Sequence, residues 1–390
     1  MISFIHRLSY LLLTASLLVC CSNTNRQSNR KAQPVTHADY YPAQKVEVNF
    51  ATGFDISYHE GYKRLDILNP YQDQTDTLHY ILIPRGANLP EYDVQAQVIE
   101  TPVRSMIATS TTHVGLTNML EENSVIKGIT QPEYVYNKEI RRRLEQGEVE
   151  GFSGSEFNKE QALALNPQLI MVSGGQASQF DNYRVLLDSG INLLVNSEWL
   201  EQTPLGKAEW VKMMGALLNK ESLANRRFNE VIERYQQLKN KVENVAEKPL
   251  VINNMPYKGA WFVSGGDSFT AQFLKDAGAD YSWYDTHSTG GLRLGFEAVY
   301  EVGLKADIWI NPGSAKSLQD ILAQDSRFKD FKSFKTRQVF NNNRRLSESG
   351  GNDFWETGVV HPERILADLI KIIHPTLLPD HELYYYQKLD

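Results

Sequence analysis

Residues 221–245 read ESLANRRFNEVIERYQQLKNKVENV, without glycine or proline. Apolar side chains fall at Leu223, Phe228, Val231, Ile232, Tyr235, Leu238 and Val242. Intervals of three and four put them on one helix face, with charged and amide residues over the rest. At 1.5 Å per residue the helix would be roughly 37 Å long, about the span of a small domain. Strand and helix patterns alternate before it and resume after it, at Pro249-Leu-Val-Ile. The stretch predicts a spacer helix between two α/β halves. The alternative is a long amphipathic helix packed on a single large sheet.

Length and composition fit that division. A chain of 390 residues favours two domains or more, and 42% hydrophobic with 22% charged residues is ordinary globular material. A net charge of −7 argues against a nucleic-acid partner. The only cysteines are the neighbours Cys20 and Cys21. None is left for a disulfide framework, a thiolate metal site or a cysteine nucleophile in the body of the chain.

The N-terminus accounts for both cysteines. His6 and Arg7 precede a short apolar run from Leu8 to Val19, too short for a convincing membrane-spanning helix. A charged start followed by an apolar run is the pattern of an export signal. Leu18-Val-Cys-Cys resembles a bacterial lipobox, with small Cys20 before a lipidated Cys21. Cys20 as the modified residue would put bulky Val19 before the cut, and an ordinary cleaved signal is the other alternative. Residues 1–20 are therefore expected to be a signal peptide. Residues 21–40, polar from Ser22 to Val35, are expected to be a flexible tether.

Residues 41–219 read as a first lobe. Residues 44–100 carry short alternating or apolar blocks bounded by turn residues such as Asn69-Pro70, and predict a small antiparallel entry. Strands are then expected over 104–110, 124–130, 167–173 and 191–196. Helices are expected over 113–121, 137–146, 158–165 and 180–189. Such alternation predicts a parallel sheet covered on both faces. After the helix of 220–246, residues 247–390 read as a second lobe. It has strands near 249–257, 261–264, 307–311 and 338–341, and helices near 268–277, 296–303, 318–328 and 362–373. Gly265-Gly266 lacks the pattern of a phosphate loop.

Residues 158–172, NKEQALALNPQLIMV, resemble the helix-to-strand segment of substrate-binding proteins for bacterial importers of iron-siderophores, haem and cobalamin. Gln168 stands where that family usually has Asp. The order of lobe and long helix is similar too. Glu209-Trp210 and the tyrosine-rich tail resemble iron-complex binding lipoproteins of Bacteroidetes-type bacteria. The resemblance covers residues 100–390 well and 40–100 loosely. It implies two Rossmann-like α/β lobes joined by one long rigid helix, with the ligand cleft between them. It further implies a monomeric, periplasmic, lipid-anchored protein that carries an iron complex, haem or corrinoid to an ABC permease with its ATPase. No cofactor of its own is implied.

Glu160 and Glu297 hold matching places, each in the first turn of a helix leading into a buried strand. A helix dipole favours Glu there. The resemblance implies that one Glu per lobe pairs with arginines of the permease.

Catalytic signatures are not legible: there is no G-x-S-x-G and no H-E-x-x-H. The nine histidines are scattered, with no close pair at ligand spacing. An enzyme on the same scaffold, or a bare-metal receptor, is the alternative class. Aromatic residues are the positive signal. Tyr134 and Tyr136 follow a first-lobe strand, Tyr257 and Trp261 follow the first second-lobe strand, and Trp283 and Trp355 lie in later loops. Ligands of open α/β sheets bind beyond the carboxyl ends of strands. Flat side chains suit a flat or ring-shaped ligand, and Arg104, Arg141, Arg293 and Arg344 suit its carboxylates or phosphate. Each of these aromatics taken singly is equally a half-buried packing residue.

Overall fold

The computed structural model describes residues 44–390 apart from 73, 74, 93, 154–156, 176–179, 181 and 182. The expected signal peptide, the tether and the lipidation site at Cys21 lie outside the described residues.

The chain enters through β1 (Phe54–His59), β2 (Tyr62–Leu68), β3 (Thr77–Pro84) and β4 (Ala96–Thr101). Alternation along β2 buries Leu65 and Ile67 on one face, as period-two side chains must. The first three strands pair antiparallel, but β4 lies parallel to β3. The expected antiparallel entry is thus a mixed sheet. Apolar alternation marks strands and does not mark their direction.

The five-stranded sheet of the first lobe contains β5 (Met106–Ala108), β6 (Ile126–Thr130), β7 (Glu150–Phe152), β8 (Leu169–Ser173) and β9 (Asn192–Asn196). Its order is β7-β6-β5-β8-β9, parallel throughout. Helices α1 (Thr111–Met119), α2 (Lys138–Glu145), α3 (Lys159–Leu165) and α4 (Arg184–Asp188) alternate with these strands. Strands such as β5 and β8 are buried on both faces, which explains their unbroken apolar runs. Gln168 has a structural use at the start of β8. Its side chain donates to the Glu100 carbonyl and accepts from Arg85 Nη2 at 2.9 Å and the Arg104 N–H at 3.1 Å. An aspartate could not donate.

Two short helices, α5 (Pro204–Glu209) and α6 (Val211–Leu218), lead into α7 (Glu221–Val242). Its 22 residues span roughly 33 Å. It buries Ala224, Phe228, Val231, Tyr235 and Val242. At its start the buried Glu221 carboxylate takes the Lys63 ammonium at 2.5 Å. Further on, the Tyr235 hydroxyl donates to Asp276 at 2.8 Å and Lys239 pairs with Asp276 at 2.9 Å.

The second lobe contains two sheets. One has the order β10-β14-β15-β16, from β10 (Val251–Asn253), β14 (Ile308–Ile310), β15 (Val339–Asn341) and β16 (Gln387–Lys388). Its first three strands are parallel and β16 is antiparallel. The other is antiparallel, from β11 (Pro256–Tyr257), β12 (Ala260–Ser264) and β13 (Gly291–Leu294). Helices α8 (Phe269–Asp276), α9 (Phe296–Gly303), α10 (Leu318–Gln324), α11 (Lys332–Lys335), α12 (Asp353–Glu356) and α13 (Pro362–Ile373) complete it. Helix α7 packs on α6 of the first lobe and α13 of the second. Two separate parallel sheets with that helix between them make a two-lobed α/β protein.

Candidate functional site

The carboxyl ends of the parallel strands of both lobes open on one cleft of about 880 Å³. The first lobe supplies Thr109 and Ser110 after β5, Thr130 and Gln131 at β6, and Ser173 at β8. The second supplies Asn254 after β10, Asn311 after β14, and Asn342 and Asn343 after β15. Asn254 and Asn311 have φ of 62° and 55°, in the left-handed region that Asn tolerates better than most residues. The Asn311 Oδ1 is buried with no hydrogen-bond partner among the described residues. Asn254, by contrast, spends an Nδ2 donor on the Phe262 carbonyl at 2.8 Å.

Charge is nearly absent from these walls. Among the described lining residues only Lys316 is charged. The first turn of α1, capped by the Ser110 hydroxyl accepting from the Thr112 N–H at 3.2 Å, adds the partial positive charge of a helix start. Aromatic side chains carry the apolar area: Phe269, Phe273, Phe354 and Tyr386 inside, Tyr134 and Trp355 at the rim. Tyr134 is 53% exposed and Trp355 54%, on opposite lobes.

A small cavity of about 50 Å³, which shares Phe269, Phe273, Phe354 and Trp355 with the cleft, is lined also by Thr112 and Lys207. The Lys207 ammonium lies 4.0 Å above the Phe269 ring, a cation–π contact between lobes. Burial holds the Lys207 pKa below the usual lysine range, against the pull of Glu198 and Glu201. Burial likewise raises Glu198, against the pull of Lys207 and a hydrogen bond with the Thr112 side chain.

The expected ligand residues divide sharply. Tyr134 and Trp355 line the cleft. Trp261 does not: it is fully buried in the second-lobe core. There it packs against Trp309, Phe296, Phe328 and Phe331 and donates its indole N–H to the Asn253 carbonyl at 3.0 Å. Strand alternation points Trp261 inward and its neighbour Phe262 outward. Tyr257 and Arg293 are exposed on the small antiparallel sheet and do not line the cleft. Tyr136 and Arg141 do not line the cleft. The Tyr136 N–H donates to Glu356 at 2.8 Å, and Arg141 acts electrostatically on that carboxyl. Arg104 and Arg344 are exposed and also outside the lining. The asparagines, serines and threonines that do line it were not singled out in the sequence. Three β-strand ends followed by Asn-Asn, Ile-Asn and Asn-Asn-Asn are the signal that could have found them.

Glu160 and Glu297 occupy the same place in their helices. Each is the second residue of α3 or α9, and both are exposed. Glu297 meets Arg327 at 3.4 Å, and Glu160 has no ion pair among the described residues. No group of three His, Cys, Asp or Glu side chains stands at metal-holding geometry among the described residues.

A two-lobed α/β protein with one polar, aromatic-rimmed cleft is a solute-binding architecture. A family model for periplasmic binding proteins matches residues 107–344, and the chain belongs to that family. Two uncharacterized lipoproteins of Methanocaldococcus jannaschii are similar to it. One is 29% identical over 305 residues, 75% of this chain and 70% of that one. The other is 24% identical over 375 residues, 89% and 90%. Among solved structures, a possible iron-binding (periplasmic solute-binding) protein from Staphylococcus epidermidis superposes with a TM-score of 0.54. It is 18% identical and covers 70% of this chain and 100% of its own. A periplasmic heme-binding protein from Pseudomonas aeruginosa gives 0.54 at 16% identity, covering 70% and 94%. Helicobacter pylori CeuE with Ni(II) bound gives 0.56 at 16% identity, covering 73% and 88%. At these identities the likeness is one of fold.

Proposed function

We propose that this chain is the lipid-anchored, periplasmic binding component of an ABC importer. Cys21 carries the lipid, and the cargo is a corrinoid or an iron–siderophore complex of net charge near zero. The observation that supports the choice of cargo is the cleft wall. It is large, aromatic and rich in neutral amides and hydroxyls, and Lys316 is the one charged residue among the described lining residues. A ligand with several negative groups would need several fixed cations to replace its hydration. Haem, with two carboxylates, and highly anionic siderophores are therefore poorer matches. An amide-decorated ring or an uncharged iron chelate fits, its flat faces against Tyr134 and Trp355 and its polar edge on the asparagines.

The test is a fluorescence and calorimetric titration with cyanocobalamin, with the uncharged ferric trihydroxamate ferrichrome, and with haemin. Cyanocobalamin or ferrichrome is expected to bind stoichiometrically and haemin to bind far more weakly. Preferential haemin binding would overturn the charge argument. For whichever probe binds, Trp355→Ala is expected to weaken affinity by about 1–3 kcal/mol, the range for losing an aromatic contact and its burial. Trp261→Phe, a change in the core, should leave affinity near wild type while lowering the melting temperature. Unchanged affinity in a folded Trp355→Ala protein would remove the rim from the site.

A further inference from the structure

The seam behind the cleft rim is built on two glycines and one carboxyl group. Helix α12 of the second lobe lies directly on α1 and the 134–137 loop of the first. A Cβ at Gly115 of α1 would stand 2.1 Å from the Glu356 carbonyl oxygen. Reciprocally, a Cβ at Gly351 would stand 2.5 Å from the Val135 carbonyl oxygen and 2.6 Å from that of Tyr134. All three distances are far inside van der Waals contact, so only glycine permits this spacing of the lobes. Between the two glycine contacts, the Glu356 carboxyl crosses the seam. Its Oε2 accepts from the Tyr136 N–H at 2.8 Å, while its Oε1 is buried without a hydrogen-bond partner among the described residues. The neighbours of the two bonded residues are the rim: Trp355 precedes Glu356, and Tyr134 lies two residues before Tyr136.

We infer that Glu356 is a positioning residue that holds Trp355 in place opposite Tyr134 at the cleft rim, and that this hold is linked to a proton. The inference rests on the reading of the cleft as the ligand site. Burial is the main force on the carboxyl and pushes its pKa up to about 8. Asp353, on the same helix, acts in the same direction. The Tyr136 and Asn137 N–H groups and the Arg141 guanidinium act against it. Asp353 is itself engaged by Arg345 at 2.6 Å, and Arg345 lies over the Tyr136 ring at 5.2 Å. Helix α1 brings only one titratable group, His113, which is buried. Opening the seam would hydrate Glu356 and return it to the ordinary carboxylate range. Between that range and about pH 8 the closed form therefore holds one proton more than the open form. Closure is then favoured at low pH, weakens as pH rises through that window, and levels off above it.

Hydrogen exchange of the full chain at segment 134–137, corrected for the intrinsic rate, reads the clasp without any ligand. Its protection is expected to fall by close to tenfold per pH unit, the limit for one linked proton, from about pH 5 to 8. Glu356→Gln keeps an acceptor for Tyr136 and cannot ionise. It should match the low-pH wild type at every pH. Gly115→Ala should lose protection at every pH by wedging the lobes. A wild-type profile that is flat, or one that superimposes on that of Glu356→Gln, overturns the inference. Binding of cyanocobalamin or ferrichrome, whichever binds, over the same range is the second arm. Affinity should fall with pH in the wild type and stay level in Glu356→Gln. Failure of both cyanocobalamin and ferrichrome to bind would count against the cargo reading and leave the exchange result to decide the clasp.

Discussion

Replacing Glu209 with Ala is expected to destabilise the chain by about 3–5 kcal/mol, the range for removing one partner of a buried charge pair. Glu209 is completely buried at the end of α5. Its carboxylate accepts from the N–H groups of Phe50 at 2.6 Å, Ala51 at 2.8 Å and Asn49 at 3.0 Å. It also holds the nearly buried Lys212 ammonium at 2.7 Å. Without it, three backbone donors and one ammonium are left with the Glu47 carbonyl as the remaining acceptor for Lys212. Glu209→Gln retains one acceptor oxygen but turns an NH₂ toward donors, and should fall between. Urea denaturation with an unchanged m-value is the measurement. A loss under about 1 kcal/mol for the alanine variant would be no more than one ordinary hydrogen bond, and would show that the entry segment is held otherwise.

Glu201 continues the same arrangement one step along the chain. It accepts from the Thr52 and Gly53 N–H groups at 2.9 Å each and from the Trp210 indole N–H at 3.0 Å. At the opposite end of the chain, buried Asp368 accepts from the N–H groups of Tyr384, Tyr385 and Tyr386 at 2.7, 2.7 and 3.1 Å. Both ends of the described chain are thus fastened by buried carboxylates that collect consecutive backbone donors. Extended segments outside a sheet ladder have unpaired N–H groups, and burying them requires acceptors from elsewhere. This gives a physical reason for the Glu209-Trp210 pair and the tyrosine-rich tail. In the sequence these were points of family likeness only.

What was legible in the sequence follows from period. The 3.6-residue face of α7 and the doubly buried runs of β5 and β8 are set by burial along single elements. Their existence could be read without knowing what covered them. Strand direction in the entry sheet and the separate antiparallel sheet of the second lobe depend on pairing between distant residues, which alternation does not encode. The site shows the same division. Its location at the carboxyl ends of strands follows from topology. The identity of its residues does not, because a loop aromatic such as Trp355 and a strand aromatic such as Trp261 look alike until the strand's facing is known. Arginine was expected and asparagine was found, because chemistry was assigned to the cleft from a ligand class rather than from strand ends.

Charge reversal at both Glu160 and Glu297 is expected to reduce stimulation of the partner importer's ATPase nearly to its basal rate, with little effect on the binding protein alone. The two carboxylates sit at the second position of α3 and α9, one in each lobe, and both are exposed. A helix start favours an acid by a fraction of a kcal/mol, and that suffices to explain either residue singly. Leu163, one turn after Glu160, is exposed at 38%, and Leu304, just past the end of α9, at 43%. Two exposed carboxylates, one in each lobe, suit a receptor with two fixed basic sites. Exposed ion pairs contribute only about 0.2–1 kcal/mol each, so their weight lies in orientation and encounter rate. Arginine at both positions opposes a basic receptor twice, and the double change should exceed the sum of the singles if both lobes must dock at once. Glu297→Arg also meets Arg327, now 3.4 Å from the carboxylate, but at an exposed site that repulsion is screened. Cargo affinity and melting temperature should therefore stay close to wild type. The measurement pairs solution binding of cargo with ATPase stimulation by the full chain in vesicles containing the importer. Wild-type stimulation by the double variant would remove both residues from docking. Loss of cargo binding would instead place these carboxylates in control of the cleft.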